Sequence, residues 1–233
     1  MDSGELFNAY REASAEKESS DIMESFKKGL DQLSEIGKIR SDSNGNIMTT
    51  QDYDREKSQA TKDKGLLLVL TGNGKGKSSS AFGMLARSVG HGLRCGVIQF
   101  IKGQWECGEQ KLFADNPLVD FYVMNTGFTW ETQDRDKDIA AAQITWQRAE
   151  TFLNSGDHNV VILDELTYMI TYGYINKESV ISSLKNRPKY QHVIITGRNA
   201  TQELLDIADT VSEINNNKHA FDSGIKVQQG IDY

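Results

Sequence analysis

Leu66-Leu67-Leu68-Val69-Leu70-Thr71-Gly72-Asn73-Gly74-Lys75-Gly76-Lys77-Ser78 is an apolar run that breaks into a loop of glycines and lysines. A helix-forming run beginning at Ser79 follows. The order is strand, loop, helix. Glycines let a backbone curl so that successive N–H groups face an anion, and a helix behind the loop adds its positive end. Lys77 is spaced to reach outer phosphates, and the Ser78 hydroxyl to hold Mg²⁺. The match to G-x-x-x-x-G-K-[ST] has one flaw, since Thr71 stands where the first glycine belongs. A glycine-rich turn with incidental lysines is the plainer alternative. The flanking strand and helix favour the phosphate-binding reading.

From Gly65 onward, short apolar runs alternate with helical patterns. Strands are expected at Leu66–Thr71, Cys95–Ile101, Asp120–Met124, Val160–Leu163, His192–Thr196 and Thr210–Ile214. Helices are expected over 77–89, 109–114, 138–154, 178–186 and 203–208. The longest of these has Ile139, Ala142, Ile144, Trp146, Ala149 and Phe152 as its candidate buried positions. Continuous apolar strands separated by helices imply an α/β fold, a mostly parallel sheet covered on both faces. Ligands in such folds sit at the carboxyl ends of the strands, where the polar signals of this chain fall.

One such signal is Asp164-Glu165, which ends an apolar strand. Beside a phosphate loop, an acid there holds Mg²⁺ directly or through water; a capped strand end is the alternative. Arg198, after a strand and Gly197, can face phosphates or form a surface ion pair. Arg87, in the helix behind the loop, and Lys102, after the second strand, carry the same ambiguity. Asn125–Gln133 places Phe128 and Trp130 on a polar loop at the ligand end of the sheet. They read either as core packing or as a wall for a flat ligand, and Trp105 invites the same question. His91, His158, His192 and His219 form no metal spacing, and no Ser-His-Asp or Cys-His nucleophile arrangement is visible.

The chain has 233 residues and a formal charge of -7, which argues against a nucleic-acid-coating protein. Its two cysteines, Cys95 and Cys107, suit neither a disulfide framework nor a zinc site. No apolar run is long enough to span a membrane, and the first residues lack the pattern of a secretory signal. A cytoplasmic location is the expectation. Residues 1–64 are polar and read as an extension separate from a domain at 65–233. Ile22, Met23, Phe26, Leu30, Leu33 and Ile36 recur at helical spacing there, so a helix is expected from Asp21 to Ile39, followed by a turn or linker at Ser41–Asn46. The extension is either partly disordered or a helix that packs on the domain or covers its site. Met48 is a candidate translation start.

Thr71–Ser78 together with Phe100-Ile101-Lys102-Gly103, Thr126–Trp130, Leu163–Tyr168, Thr196-Gly197-Arg198 and Gly230–Tyr233 strongly resembles the phosphate-loop ATP:corrinoid adenosyltransferases. The likeness runs from about Gly65 to Tyr233. Thr71 belongs to that family's own loop pattern, and Ser78 stands where threonine is usual. The first 47 residues have no counterpart in it. The resemblance implies a P-loop NTPase-like fold and displacement at carbon: corrinoid Co(I) attacks the 5′-carbon of ATP and triphosphate leaves. It implies nucleotide binding by Thr71–Ser78 with Ser79, Arg87 and Arg198, and Mg²⁺ on Ser78 with Asp164 and Glu165. Lys77, Phe128 and Trp130 would be catalytic, the two rings displacing the corrinoid's lower ligand so that cobalt is more easily reduced. It further implies a flavoprotein-type electron donor and a homodimer, with no nucleic-acid or membrane partner. A γ-phosphate-cleaving ATPase or kinase and a non-catalytic corrinoid- or nucleotide-binding protein are the alternatives on this scaffold.

Overall fold

A computed structural model describes residues 40–41, 47–48, 62–101, 107–124 and 134–232. The chain divides into two units, Met1–Lys62 and Asp63–Tyr233. In the first, β1 (Arg40–Ser41) pairs antiparallel with β2 (Ile47–Met48), Arg40 opposite Met48. The sequence led to no expectation of a strand there, and this two-residue ladder corrects it at the ends of the expected turn. The helix expected over Asp21–Ile39 lies outside the described residues.

The second unit runs β3 (Leu67–Thr71), α1 (Lys77–Gly90), β4 (Cys95–Gln99), α2 (Gly108–Phe113), β5 (Val119–Val123) and α3 (Arg135–Asn154). Then come β6 (Val160–Asp164), α4 (Leu166–Thr171), α5 (Lys177–Asn186), β7 (His192–Thr196), α6 (Gln202–Ile207) and β8 (Thr210–Glu213). The sheet order is β5-β4-β6-β7-β3-β8, and every pairing is parallel. β4 and β6 are buried along their whole length, as strands covered on both faces must be.

Alternate residues of one strand feed opposite cores, because successive side chains point to opposite faces. Val161 and Leu163 pack with Trp146, Leu153, Leu184 and Leu204 from α3, α5 and α6. Val160 and Ile162 pack with Ala81, Phe82 and Leu85 of α1 and with Phe113 of α2. The loop-bearing strand β3 and the acid-bearing strand β6 are separated only by β7. Thr71, Thr196 and Asp164 therefore end side by side on one edge of the sheet.

Three local readings change. The long helix starts at Arg135, because Asp134 caps it by accepting a hydrogen bond from the Lys137 N–H. Ile144 is 58% exposed. The buried stripe of α3 runs through Ala142, Thr145, Trp146, Ala149, Phe152 and Leu153, and residue 144 falls off that face. Helix α4 was not visible in the sequence, since it spans only six residues and starts directly after the acid pair.

Gly96 lies within buried β4, and a Cβ there would come within 2.5 Å of the Phe152 ring. That ring is itself wedged against His158 and Arg148. Gly96→Ala is therefore expected to destabilise the protein by about 1–3 kcal/mol through overpacking. Denaturant unfolding checks this, with a lowered midpoint at unchanged slope as the expected result.

Candidate active site

The loop between β3 and α1 is shaped by glycines that serve different ends. Gly76 is the N-cap of α1 at φ 123°, a conformation side chains avoid, with open space around it. Gly72 and Gly74 are instead crowded. A Cβ at either would come within 2.5 Å of the Ile214 or Asn215 carbonyl oxygen. The Gly74 N–H donates to the Ile214 carbonyl at 2.6 Å, so this N–H holds the segment after β8 and does not face an anion. The first turn of α1 carries no acidic residue, which leaves its positive end uncompensated for a ligand. Lys77 is buried and donates from Nζ to the Gly74 carbonyl at 2.7 Å. Burial lowers its pKa, with nearby Glu165 opposing that effect.

The acid pair is built around one hydroxyl. Thr196 Oγ1 donates to Asp164 Oδ1 at 2.7 Å and accepts from the Glu165 N–H at 2.9 Å. The other Asp164 oxygen accepts from Gln99 Nε2 at 3.0 Å. Glu165 follows in the left-handed region, φ 60°, which turns its side chain away from the strand's course. Its Oε2 is buried without a hydrogen-bond partner. Burial, and then the charge of Asp164, pushes the Glu165 carboxyl up to about 7.

Most of these groups, though not Thr196, line a cavity of about 890 Å³ at the carboxyl ends of the strands. Asn73, Gly74, Lys75, Gly76, Lys77, Ser78, Ser79, Asp164, Glu165 and Arg198 all reach it. Thr71 stays behind the loop, where its hydroxyl accepts from the Ala200 N–H at 3.4 Å, and Gly72 also lies off the lining. Arg87 is not brought in. It is exposed in the last turn of α1, about 15 Å along the helix from Lys77 at 1.5 Å per residue, where it complements the helix's negative end. Lys102, Trp105, Phe128 and Trp130 lie outside the described residues.

Sequence reasoning missed Gln99, Thr196 and the ion pair of Lys75 Nζ with Asp232 Oδ1, 2.7 Å apart. A signal existed for the first two, since each is a polar residue at the end of an otherwise apolar strand. Among the described residues no three His, Cys, Asp or Glu side chains converge on a metal position. The donors present are hard oxygens, namely the Ser78 hydroxyl and the two carboxylates, and one Glu165 oxygen has no protein partner. This set fits Mg²⁺, which takes few protein ligands and completes its shell with phosphate and water.

A parallel sheet, a glycine-lysine loop opening a helix, and an acid ending a strand two places away define a phosphate-loop nucleotide-binding protein. The chain belongs to the ATP:corrinoid adenosyltransferase family BtuR/CobO/CobP, whose family model matches residues 63–233. It is 53% identical over 180 residues to the corrinoid adenosyltransferase CobA of Salmonella typhimurium strain LT2, covering 77% of this chain and 91% of that one. It is 51% identical over 183 residues to the corrinoid adenosyltransferase of Escherichia coli K12, covering 78% and 93% of the two chains. The Pseudomonas aeruginosa corrinoid adenosyltransferase is 48% identical over 181 residues, with 77% and 89% covered.

A carboxyl raised to about 7 in the fold and near 4.5 when unfolded costs stability as pH rises. Below pH 4.5 both states hold the proton. Between 4.5 and 7 the unfolded chain releases it while the fold retains it, so unfolding gains. Above 7 the penalty is complete at roughly 3 kcal/mol. In metal- and nucleotide-free buffer, Glu165→Gln is expected to gain stability over the parent across that window and to hold a constant lead above it. Urea unfolding at pH 4.5, 6 and 8 measures this, and a pH-independent difference would contradict it.

Proposed function

We propose that this protein transfers the 5′-deoxyadenosyl group of ATP to the Co(I) of a corrinoid and releases triphosphate. The supporting observation is the buried Lys77, set among Asp164, Glu165 and Arg198 at the mouth of α1, in a chain whose residues 63–233 match the family. Co(I) supplies the electron pair for the new cobalt–carbon bond. The bond from the 5′-carbon to oxygen breaks, and triphosphate leaves with that pair. The protein's task is to hold the leaving group and aim the carbon, so no general base is required. Lys77, Arg198 and the positive end of α1 stabilise negative charge growing on the departing oxygen. Lys77 suits this because its Nζ is already held by the Gly74 carbonyl, which limits reorganisation during reaction. Ser78 with Asp164 or Glu165 would hold a Mg²⁺, which would supply further neutralisation of the phosphates.

Phe128 and Trp130 are proposed, from the family resemblance, to displace the corrinoid's lower ligand. A flavoprotein-type electron donor, a homodimer and a cytoplasmic setting complete the reading, and the two free thiols, Cys95 and Cys107, suit a reducing compartment. Residues 1–64 are proposed as an extension apart from the catalytic unit.

The test is an anaerobic assay with ATP, Mg²⁺ and reduced corrinoid, following the alkylcobalt spectrum and triphosphate. ADP and phosphate formed without corrinoid would instead identify a γ-phosphate-cleaving enzyme. In that assay Lys77→Ala is expected to lower kcat by about 100-fold or more, and near-normal turnover would remove Lys77 from the leaving-group site. Phe128→Ala and Trp130→Ala are expected to impair reaction from Co(II) corrinoid more than from pre-reduced Co(I). Equal losses in both would assign the rings to packing.

A further inference from the structure

Arg198 sits in a turn of unusual backbone. Gly197 has φ 136° and Asn199 φ 53°, so left-handed residues flank the arginine on both sides. Such conformations persist only where the surroundings enforce them. The enforcing element is α4. Thr167, buried at 1% exposure, donates from Oγ1 to the Arg198 carbonyl at 2.7 Å. A Cβ on Gly197 would collide with that same hydroxyl, so the turn is closed tightly onto it. One helical turn on, Thr171 donates to the Thr167 carbonyl at 2.8 Å and reaches the Asn199 carbonyl at 3.5 Å. From the other side, Gly197 N–H donates to the Leu70 carbonyl at 3.2 Å. The α4 threonines thus grip carbonyls of consecutive residues, and the arginine between the two left-handed positions lines the cavity beside Lys77 and Glu165.

We propose that Thr167 is a positioning residue for Arg198. Its hydroxyl fixes the 197–199 turn and so aims the guanidinium at the triphosphate. This rests on the reading of the cavity as the ATP site. Thr167 does not line the cavity, and its buried hydroxyl is committed to the Arg198 carbonyl, so it is not placed to touch substrate. The arrangement also ties Arg198 to the acid pair. Thr167 is two residues after Glu165, so one short helix supports both the carboxylates and the cation opposite them.

The experiment is a double-mutant cycle on the full chain, reading kcat and KM for ATP at saturating reduced corrinoid. Thr167→Val, Thr167→Ser, Arg198→Ala and Thr167→Val/Arg198→Ala are compared, with thermal melts of each. Thr167→Ala removes the same hydroxyl without crowding Gly197 and replaces Thr167→Val if that variant does not fold. Arg198→Ala is expected to lower kcat/KM for ATP by roughly tenfold or more, as for loss of a charge-assisted hydrogen bond. Thr167→Val is expected to reproduce most of that loss with the same division between kcat and KM, and to add less than about twofold once Arg198 is absent. Thr167→Ser is expected to restore near-parent values. Parent-like kinetics for both hydroxyl-free variants, or an equal loss with and without Arg198, would overturn the proposal and leave the ATP reading intact. An Arg198→Ala enzyme with unchanged kinetics would also overturn it. Failure of the parent itself to form alkylcobalt would instead reject the ATP reading.

Discussion

Two consecutive carboxylates end a strand here, Asp164 buried and Glu165 half-buried with one oxygen out of reach of water, and much of the site is arranged around tolerating them. Burying a charge is unfavourable unless it is paired or hydrogen-bonded. Asp164 meets that condition through Gln99 and Thr196, donors supplied by the strands on either side of β6. Glu165 does not meet it fully, and its carboxyl responds by holding its proton to about pH 7. Lys77 and Arg198 are the counter-charges within range of it. An arriving cation with its phosphates would satisfy the carboxylate that the protein alone leaves unsatisfied, and that relief adds to the free energy of binding.

The parallel sheet makes this arrangement possible. Registers place Gln99 beside Asp164 and bring Leu70 level with Thr196. Residues distant in sequence therefore end at one height. The helices then divide the work. α1 delivers Lys77 and Ser78 with its positive end, while α4 starts directly after the acids and carries the threonines that hold the Arg198 turn.

Much of this was legible from the chain, for physical reasons. Strands covered on both faces must be apolar throughout, so Val160–Leu163 and His192–Thr196 announced themselves. Glycines and lysines between a strand and a helix combine a backbone free to curl with charge to hold an anion, a pairing that a plain turn has no need of. What escaped notice depended on partners far away in sequence. Thr196 bridges the acid pair across 31 and 32 residues, and no local pattern encodes that. Ile144 misled because apolar residues also occur on exposed helix faces, and α4 was too short to show a period. Arg87 had the right charge on the right helix, but about three turns of rise carry it away from the loop.

The crowding of Gly72 and Gly74 has a bearing on how the protein comes into being. Those glycines fit beneath the carbonyls of Ile214 and Asn215, just after β8, and β8 pairs with β3 alone. The first and last strands of the unit are thus neighbours, tied also by Leu67 N–H to Asp209 across 142 residues. During synthesis the loop emerges early but is completed only when this distant edge arrives. The nucleotide loop is therefore closed by contacts of long sequence separation, whose loop-closure entropy must be met before they form.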